Sequence, residues 1–402
     1  MAVEDRVLSF FPDMLPSRPC ENMEKMQVKH LLTMATGHTQ EPKLEQFPDW
    51  TYRFLSSYVP QEPGSKFLYN TPASYLLSAI VQRVSGLPVA EYLRPRLFEP
   101  LGIVDYWWEK SPEGITTGGV GCNLRTEDMA KFGLFYLNRG KWNGKQLLHP
   151  AWIDASTVKQ MDNMCHSMAD HDDWGAGYGY QFWMCAPKKS YRADGAFGQI
   201  CLFLPEQDAL VVMTGASTTV NAILDAIYEI LLPAMAQAPL PDDPIAQKEL
   251  EEKLSSLSLH PPYGAAAPAD SALLRFSDTQ WKLSANLLDW SHIQLHFGER
   301  PTVTLFQGKN SCTLPIGSGS WADGLTYAQE KAVGKVSSNT NFYQRVSCAG
   351  AWAGNEYVLK MIYRNTPYVD ILRFVFDGRG PVIQYTRNVS FQAEYPLEIF
   401  CR

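Results

Sequence analysis

The sequence predicts an α+β protein with two folded domains joined by a proline-rich linker. Residues 1–236 alternate between segments of helical and of strand periodicity, residues 237–270 are dense in proline and alanine, and residues 271–402 are rich in β-branched and aromatic residues. With 402 residues, 45% of them hydrophobic and 19% charged, the chain is large enough to bury two cores.

The first domain is predicted to contain helices and a small sheet. Hydrophobic residues recur at helical spacing in residues 28–34, 73–85, 126–138 and 219–232. Strands are predicted at residues 179–183, 200–204 and 210–214. The last two strands flank a Pro-Glu-Gln-Asp sequence at residues 205–208, which favours a turn, so they are predicted to form a hairpin.

The linker and the second domain have different compositions. Seven prolines in residues 233–268 oppose regular structure, although a short charged helix is predicted at residues 245–257. Strands are predicted at residues 302–306, 357–363, 369–376 and 382–385, with a turn at residues 377–380. These segments indicate an antiparallel, β-rich C-terminal domain, either a meander, a sandwich or a barrel.

The charge and cysteine patterns exclude several function classes. The net charge is −7 with acids and bases interspersed, whereas nucleic acids and anionic membranes require clustered lysine and arginine. No apolar run approaches the roughly 18 residues of a membrane span, and the first residues do not resemble a signal peptide, so we expect a cytoplasmic protein. The eight cysteines form no Cys-x-x-Cys pair, which indicates free thiols rather than a zinc ribbon or a disulfide framework.

A helix is predicted to begin beside Tyr69. Thr71 is a suitable N-cap, Pro72 suits the first helical position, and Gly86 is placed to end the helix. Tyr69 therefore precedes a helix N-terminus, where backbone N–H groups and the helix dipole favour the phenolate form. The alternative interpretation of Tyr69 is a packed aromatic residue at the start of a helix.

Several segments resemble the family of class C β-lactamases, D-peptidases and esterases, and they occur in the family's order. Residues 28–38 resemble its "LLTHTSG" segment, residues 64–86 its Tyr-x-Asn motif and following helix, residues 92–102 its "IFEPLGM" segment, and residues 118–133 its "GG…S..DMARFG" segment. The match spans residues 7–235 and leaves the C-terminal domain outside. It implies a β-lactamase/transpeptidase-like domain that hydrolyses a small ester, amide or D-peptide through an acyl-enzyme, without cofactor or metal.

The same resemblance assigns roles to residues around Tyr69. Tyr69 corresponds to the family's general base or acid, which a lysine assists in relaying protons. Thr71 occupies the position of the motif's asparagine, and Asn70 beside it is the candidate for the amide contact with a substrate.

The family's third motif, a basic residue followed by Thr or Ser and Gly, aligns with residues 193–195. Ala193 stands at the basic position, and Arg192 comes one residue earlier, on the opposite side of a regular strand, so we expect a bulge to redirect it. The candidate substrate-binding residues here are Arg192, Asp194, Gly195 and Ala196. Ala196 would contribute a backbone N–H to an oxyanion site. The alternative is a glycine-containing strand and turn with a solvated Asp194.

The resemblance also implies a nucleophilic serine in a Ser-x-x-Lys motif upstream of Tyr69. The one Ser-x-x-Lys of this sequence, residues 156–159, follows Tyr69 and is predicted to be a surface helix end. Because residues 4–12 align with the segment that follows the nucleophile helix, we expect a first domain that is incomplete at its N-terminus. Loss of the nucleophile lowers turnover about a million-fold, so we expect the chain alone to be inactive.

Two other functions remain open. One is a non-catalytic homologue that binds a ligand or partner. The other is a metal-dependent enzyme that uses the Cys-, His- and Asp-containing segment 165–173, which is otherwise a polar loop. His38 is predicted to make structural hydrogen bonds in a loop.

Overall fold

A computed structural model describes residues 1–164, 172–286, 288–326, 344–376, 380–390 and 396–401. The chain divides into two compact units, one formed by Met1–Gly215 and Thr219–Met235 and the other by Ala216–Thr218 and Ala236–Arg402. Residues 237–270, predicted to be a linker, belong to the second unit and contain the helix Pro244–Ser256. The short charged helix predicted at residues 245–257 is thus confirmed.

The first unit contains ten of the described α-helices. They are α1 (Glu21–Lys25), α2 (Val28–Leu32), α3 (Trp50–Leu55), α4 (Thr71–Ser85), α5 (Val89–Leu93), α6 (Glu99–Leu101), α7 (Thr126–Leu137), α8 (Pro150–Ser156), α9 (Val220–Ala226) and α10 (Leu232–Ala234). Short 3₁₀-helices span Val7–Phe10, Asp172–Trp174 and Pro205–Gln207, and π-helical turns span Arg94–Phe98 and Ile227–Leu231. Within the described part of the chain, no helix combines the length and the apolar character needed to cross a bilayer.

A four-stranded antiparallel sheet forms the core of the first unit. Its strands are β5 (Trp183–Met184), β6 (Tyr191–Gly195), β7 (Gln199–Leu204) and β8 (Ala209–Met213), in that spatial order, and two small hairpins precede it: β1 (Trp107–Trp108) with β2 (Cys122–Asn123), and β3 (Lys141–Trp142) with β4 (Lys145–Gln146). The predicted β7–β8 hairpin is confirmed, with Asp208 in the left-handed region at φ 49°. Helix α7 packs on one face of the sheet, and Leu224 of α9 packs on the other against Ile200, Leu202 and Leu204.

The strand predicted at residues 179–183 is wrong for most of its length. Only Trp183 of that segment lies in a strand, because Gln181 adopts the left-handed region at φ 65°. In this conformation the Gln181 side chain accepts a hydrogen bond from Ser74 Oγ and donates to the carbonyls of Leu31 and Leu32. The segment thus links α2 and α4 instead of extending the sheet.

In its described residues the second unit contains two antiparallel sheets and one α-helix, α11 (Pro244–Ser256), with a 3₁₀-helix at Ser271–Phe276. The smaller sheet contains β9 (Gln280–Lys282), β10 (His292–His296), β11 (Thr302–Gln307) and β12 (Asn310–Pro315). The larger is a six-stranded meander of β13 (Ala322–Thr326), β14 (Gln344–Ala353), β15 (Glu356–Tyr363), β16 (Val369–Phe376), β17 (Pro381–Arg387) and β18 (Leu397–Phe400). Alternate residues of β15 to β17 are buried, as a half-buried strand requires. The predicted strands are confirmed, and residues 377–379 of the predicted turn lie outside the described residues.

The described cysteines are free thiols, as the sequence predicts. Seven of the eight cysteines are described and all seven are free thiols, of which Cys185, Cys201 and Cys348 are buried. Buried free cysteines act as small hydrophobic side chains.

Candidate active site

Asn70, rather than Thr71, is the N-cap of α4. Its Oδ1 accepts the backbone N–H of Ala73 at 3.1 Å, and its Nδ2 donates to Thr36 Oγ1 at 3.1 Å. Asn70 is completely buried. The predicted N-cap was therefore wrong by one residue, and the amide expected to contact a substrate is instead bonded inside the protein.

A directed chain of hydrogen bonds extends from Asn70 through His38. Thr36 Oγ1 lies 2.8 Å from His38 Nδ1, and His38 Nε2 lies 2.7 Å from Ser57 Oγ, which donates to the carbonyl of Phe54 at 2.6 Å. Since Ser57 gives its proton to that carbonyl, we assign the His38 proton to Nε2 and the acceptor role to Nδ1. Burial lowers the pKa of His38 to about 4. The predicted structural role of His38 is confirmed, and Ser57 is not arranged as a nucleophile with a histidine base.

The first turn of α4 is enclosed by a carboxylate and two glycines. The backbone N–H of Thr71 donates to Glu41 Oε1 at 2.8 Å. A Cβ on Gly119 would lie 2.9 Å from both the carbonyl oxygen and the Cγ2 of Thr71, and one on Gly118, at φ 71°, would lie 2.6 Å from the carbonyl oxygen of Ser74. Only glycine permits this close approach. Glu41 carries no sequence motif and was missed by the sequence reasoning.

Tyr69 stacks on an aromatic ring and is within electrostatic range of two acidic residues. Its ring stacks on Trp183, with centroids 5.5 Å apart and an interplanar angle of 19°. Burial, then the charge of Asp194, then that of Glu41, raise the pKa of Tyr69 to about 12. The expected preference for the phenolate is therefore wrong. At neutral pH the half-buried Tyr69 is a protonated phenol and a hydrogen-bond donor.

The side chain of Arg192 lies on the same face of the sheet as Tyr69, without a bulge in β6. Strands β6 and β7 pair residue for residue over the whole of β6, so the expected bulge is absent. Arg192 lies directly opposite Trp183 in the neighbouring strand, and paired residues of antiparallel strands share a face. Ala193 points to the other face and packs into the hydrophobic core. Because side chains alternate between the two faces along β6, Arg192 and Asp194 lie on the face of the sheet where Tyr69 stacks on Trp183.

The guanidinium of Arg192 is completely buried and ion-paired. Its Nε donates to Asp194 Oδ2 at 2.7 Å, and its Nη1 donates to Cys185 Sγ at 3.3 Å and lies 3.9 Å from Asp173 Oδ2. The guanidinium carbon lies 4.6 Å from the ring centroid of Trp174. The alternative of a solvated Asp194 is wrong, because that side chain is 8% exposed. Burial raises the pKa of Asp194, and the charge of Arg192 opposes the rise.

The turn after Gly195 exposes Ala196. Phe197 and Gly198 adopt positive φ angles of 64° and 90°, which reverse the chain over three residues. Gln199 Nε2 donates to the carbonyl of Ala196 at 3.1 Å and fixes the turn. The backbone N–H of Ala196 as an oxyanion donor stays a prediction.

The Ser-x-x-Lys sequence forms a helix end, as predicted, but its serine is not at the surface. Ser156 is buried at the end of α8, and its Oγ donates to the carbonyl of Ile153. Lys159 is exposed and lies 3.6 Å from the carboxylate of Asp162. This serine and lysine are therefore not arranged as a nucleophile and its base. Residues 165–171, most of the segment considered for metal binding, lie outside the described residues.

Comparison with known proteins gives the family. Residues 2–231 match the family described as Beta-lactamase. The chain belongs to this family. The resemblance seen in the sequence, the α+β fold and hydrolase function at the level of the family are thereby confirmed.

The individual proteins and structures compared here are distantly similar to the chain. The chain is 25% identical over 173 residues to the 6-aminohexanoate-dimer hydrolase of Paenarthrobacter ureafaciens, covering 41% of this chain and 43% of that protein. The chain thus spans less than half the length of this relative. An octameric penicillin-binding protein homologue from Pyrococcus abyssi is 16% identical with a TM-score of 0.47, covering 95% of this chain and 82% of that one. A β-lactamase/D-alanine carboxypeptidase from Yersinia pestis is 17% identical with a TM-score of 0.42, covering 58% and 76%.

Proposed function

We propose that the protein is a serine hydrolase of the β-lactamase type that acts on small amides or esters through an acyl-enzyme. Tyr69 would be its proton donor, and the 402-residue chain by itself would not become acylated. The observation that carries the proposal is the position of the Tyr69 phenol, half-buried and stacked on Trp183, within a chain of the Beta-lactamase family.

The protonation state of Tyr69 supports the role of donor. A phenol with a pKa of about 12 is ionised in about one molecule in 10⁵ at pH 7. It therefore has a proton to give to a leaving amine or alkoxide, or to a carbonyl oxygen that gains negative charge. Acting as a base, it would need a nearby cation to lower its pKa, whereas the charges that shift the pKa of Tyr69 here belong to Asp194 and Glu41.

Whether this chain forms an acyl-enzyme depends on its having a nucleophilic serine. Family chemistry uses the serine of a Ser-x-x-Lys motif, and Ser156 donates its proton to a backbone carbonyl. We therefore expect binding of an amide or ester beside Tyr69 without formation of an acyl-enzyme. The name of the Paenarthrobacter relative favours an amide over an ester as the bond that is cleaved.

Intact-protein mass spectrometry tests the proposal. We expect no covalent adduct after incubation of the chain with nitrocefin or 4-nitrophenyl acetate. A stoichiometric adduct that disappears in Ser156→Ala would show that the chain is acylated and would contradict the proposal.

The same assay separates a hydrolase from a non-catalytic homologue. It is repeated on the full-length product of the gene. An adduct that forms there, and whose turnover falls at least tenfold in Tyr69→Phe, supports the hydrolase. The absence of an adduct in the full-length product supports the non-catalytic homologue.

A further inference from the structure

The stack of Tyr69 on Trp183 joins segments that belong to different elements. Tyr69 lies two residues before α4, and Trp183 begins β5, a strand of two residues. The rings of Phe67 and Tyr178 also pack against Trp183, with centroids 5.7 and 5.1 Å away. Burial of apolar surface is not directional, so this packing favours contact but does not by itself fix the register of the two segments.

Directed hydrogen bonds from Gln181, two residues before Trp183, tie the second segment to helices α2 and α4. The backbone N–H of Gln181 donates to the carbonyl of Leu32 at 3.0 Å. Its Nε2 donates to the carbonyls of Leu32 and Leu31, at 3.1 and 3.3 Å. Its Oε1 accepts a hydrogen bond at 2.6 Å from Oγ of Ser74, in the first turn of α4. The site thus uses both ends of a carboxamide, one as donor and one as acceptor.

The Tyr69 segment is tied to the same part of the chain. The backbone N–H of Leu68, the residue before Tyr69, donates to the carbonyl of Met34 at 2.8 Å. Residues 31–34 are therefore bonded both to Leu68 and to Gln181. Because hydrogen bonds are directional, this shared anchor fixes how far the two segments of the stack can move relative to each other.

The backbone of Gln181 is in an unfavourable conformation. Its φ is 65°, in the left-handed region that residues with a Cβ rarely adopt. Glycine would remove this strain, but it would also remove every side-chain bond to α2 and α4. A residue in such a conformation persists when the surrounding structure holds it there, and here the bonds of the carboxamide contribute to that hold.

We propose that Gln181 is a positioning residue of the Tyr69 site, which fixes Trp183 in register with Tyr69 so that the indole ring keeps the phenol covered. The inference rests on the proposed function for its catalytic meaning, since Tyr69 is the proton donor proposed there, but the stack itself can be tested without a substrate. Loss of the Gln181 bonds gives water more access to the phenol. Because burial is the largest cause of the raised pKa of Tyr69, that pKa should then fall.

Nuclear magnetic resonance of the chain labelled with [ε-¹³C]tyrosine tests the inference. The Tyr69 signal is the one that disappears in Tyr69→Phe. The ring current of Trp183 should displace this signal upfield of its position in the protein unfolded by urea, because the two rings are stacked. In Gln181→Gly we expect the signal to lose most of this displacement. Glycine adopts a φ of 65° without the steric cost of a Cβ, which favours retention of the fold.

The same signal reports the ionisation of Tyr69. It is followed across the pH range in which circular dichroism shows a folded protein. In Gln181→Gly, Tyr69 should begin to ionise at a lower pH than in the unchanged chain, as its pKa moves from about 12 towards 10.0.

Two further variants locate the effect. Ser74→Ala removes the bond to Gln181 Oε1 alone, so it should move the Tyr69 signal in the same direction by a smaller amount. Gln146→Ala is the matched control, because Gln146 Nε2 also donates to two backbone carbonyls of the same unit, those of Arg139 and Leu148. We expect this control to leave the Tyr69 signal unchanged.

Each outcome has a distinct meaning. An unchanged Tyr69 signal in folded Gln181→Gly, or an equal displacement in Gln146→Ala, would overturn the positioning role. If Gln181→Gly does not fold, the presence or absence of a displacement in Ser74→Ala decides the question. A displacement in Gln181→Gly without one in Gln146→Ala supports the role whether or not the full-length product is acylated. The absence of an adduct in the full-length product would contradict the proposed hydrolase and leave the positioning of the Tyr69 ring in place.

Discussion

Replacing Asn70 with alanine tests whether the buried N-cap network holds the candidate active site in place. The substitution removes the acceptor for the N–H of Ala73 and the donor to Thr36 Oγ1. It also breaks the chain of hydrogen bonds that continues to His38. Every group in this part of the network is buried, so water does not readily replace the lost bonds.

The expected loss of stability follows from the two hydrogen bonds. Loss of an N-cap side chain costs about 1 kcal/mol. Leaving a buried polar partner unsatisfied costs about 1–3 kcal/mol more. We therefore expect Asn70→Ala to lower the free energy of unfolding by about 2–4 kcal/mol. For a unit of this size about 2–4 °C of Tm is lost per kcal/mol, so the Tm should fall by about 5–15 °C.

Differential scanning calorimetry and urea unfolding of the two proteins measure this loss. His149→Ala is the matched control, because His149 Nδ1 caps α8 by accepting the N–H of Ala151 from an exposed position in the same unit. This control should lose about 1 kcal/mol or less. If Asn70→Ala costs no more than His149→Ala, the buried network contributes nothing and the reasoning fails.

Two further predictions concern the surroundings of α4. Gly118→Ala places a Cβ 2.6 Å from the carbonyl oxygen of Ser74 at φ 71°, whereas Gly114→Ala, at φ 78°, meets no atom within 4 Å. By urea unfolding we expect the first to cost about 2–3 kcal/mol and the second about 1 kcal/mol, and equal costs would refute the steric argument. Burial lowers the pKa of His38 from 6.5 to about 4, so the folded protein binds fewer protons than the unfolded chain between these pH values. The neutral His38 side chain therefore contributes about 3 kcal/mol to the free energy of unfolding above pH 6.5, and this contribution is lost as the pH falls to about 4. In urea titrations across this range, the free energy of unfolding of a His38→Gln variant should depend less on pH.

Local sequence patterns predicted the helices and strands that are determined by residues close together in the sequence. The apolar spacing and Gly86 located α4 to within two residues, and the turn residues between β7 and β8 located their hairpin. Resemblance to a family then placed Tyr69, Arg192 and Asp194 in one site, and the structure brings them to one face of the sheet.

Features that depend on distant contacts were missed. Asn70 and Thr71 are both good N-caps, and the choice between them follows from the bonds of Asn70 to Thr36 and of Thr71 to Glu41, about 30 residues away along the chain. The left-handed conformation of Gln181 accompanies bonds to residues more than 100 positions away. No short-range pattern encodes such contacts.

The position of Tyr69 before a helix N-terminus was not sufficient to predict its protonation state. The dipole at a helix N-terminus favours a nearby anion by about 0.3–1 kcal/mol. In α4 the N–H groups of Ala73 and Thr71 are already bonded to Asn70 and Glu41. The rise of the Tyr69 pKa from 10.0 to about 12 corresponds to about 3 kcal/mol in favour of the neutral phenol. Burial and the two nearby carboxylates therefore outweigh the dipole, and the acid form of Tyr69 is a consequence of tertiary structure.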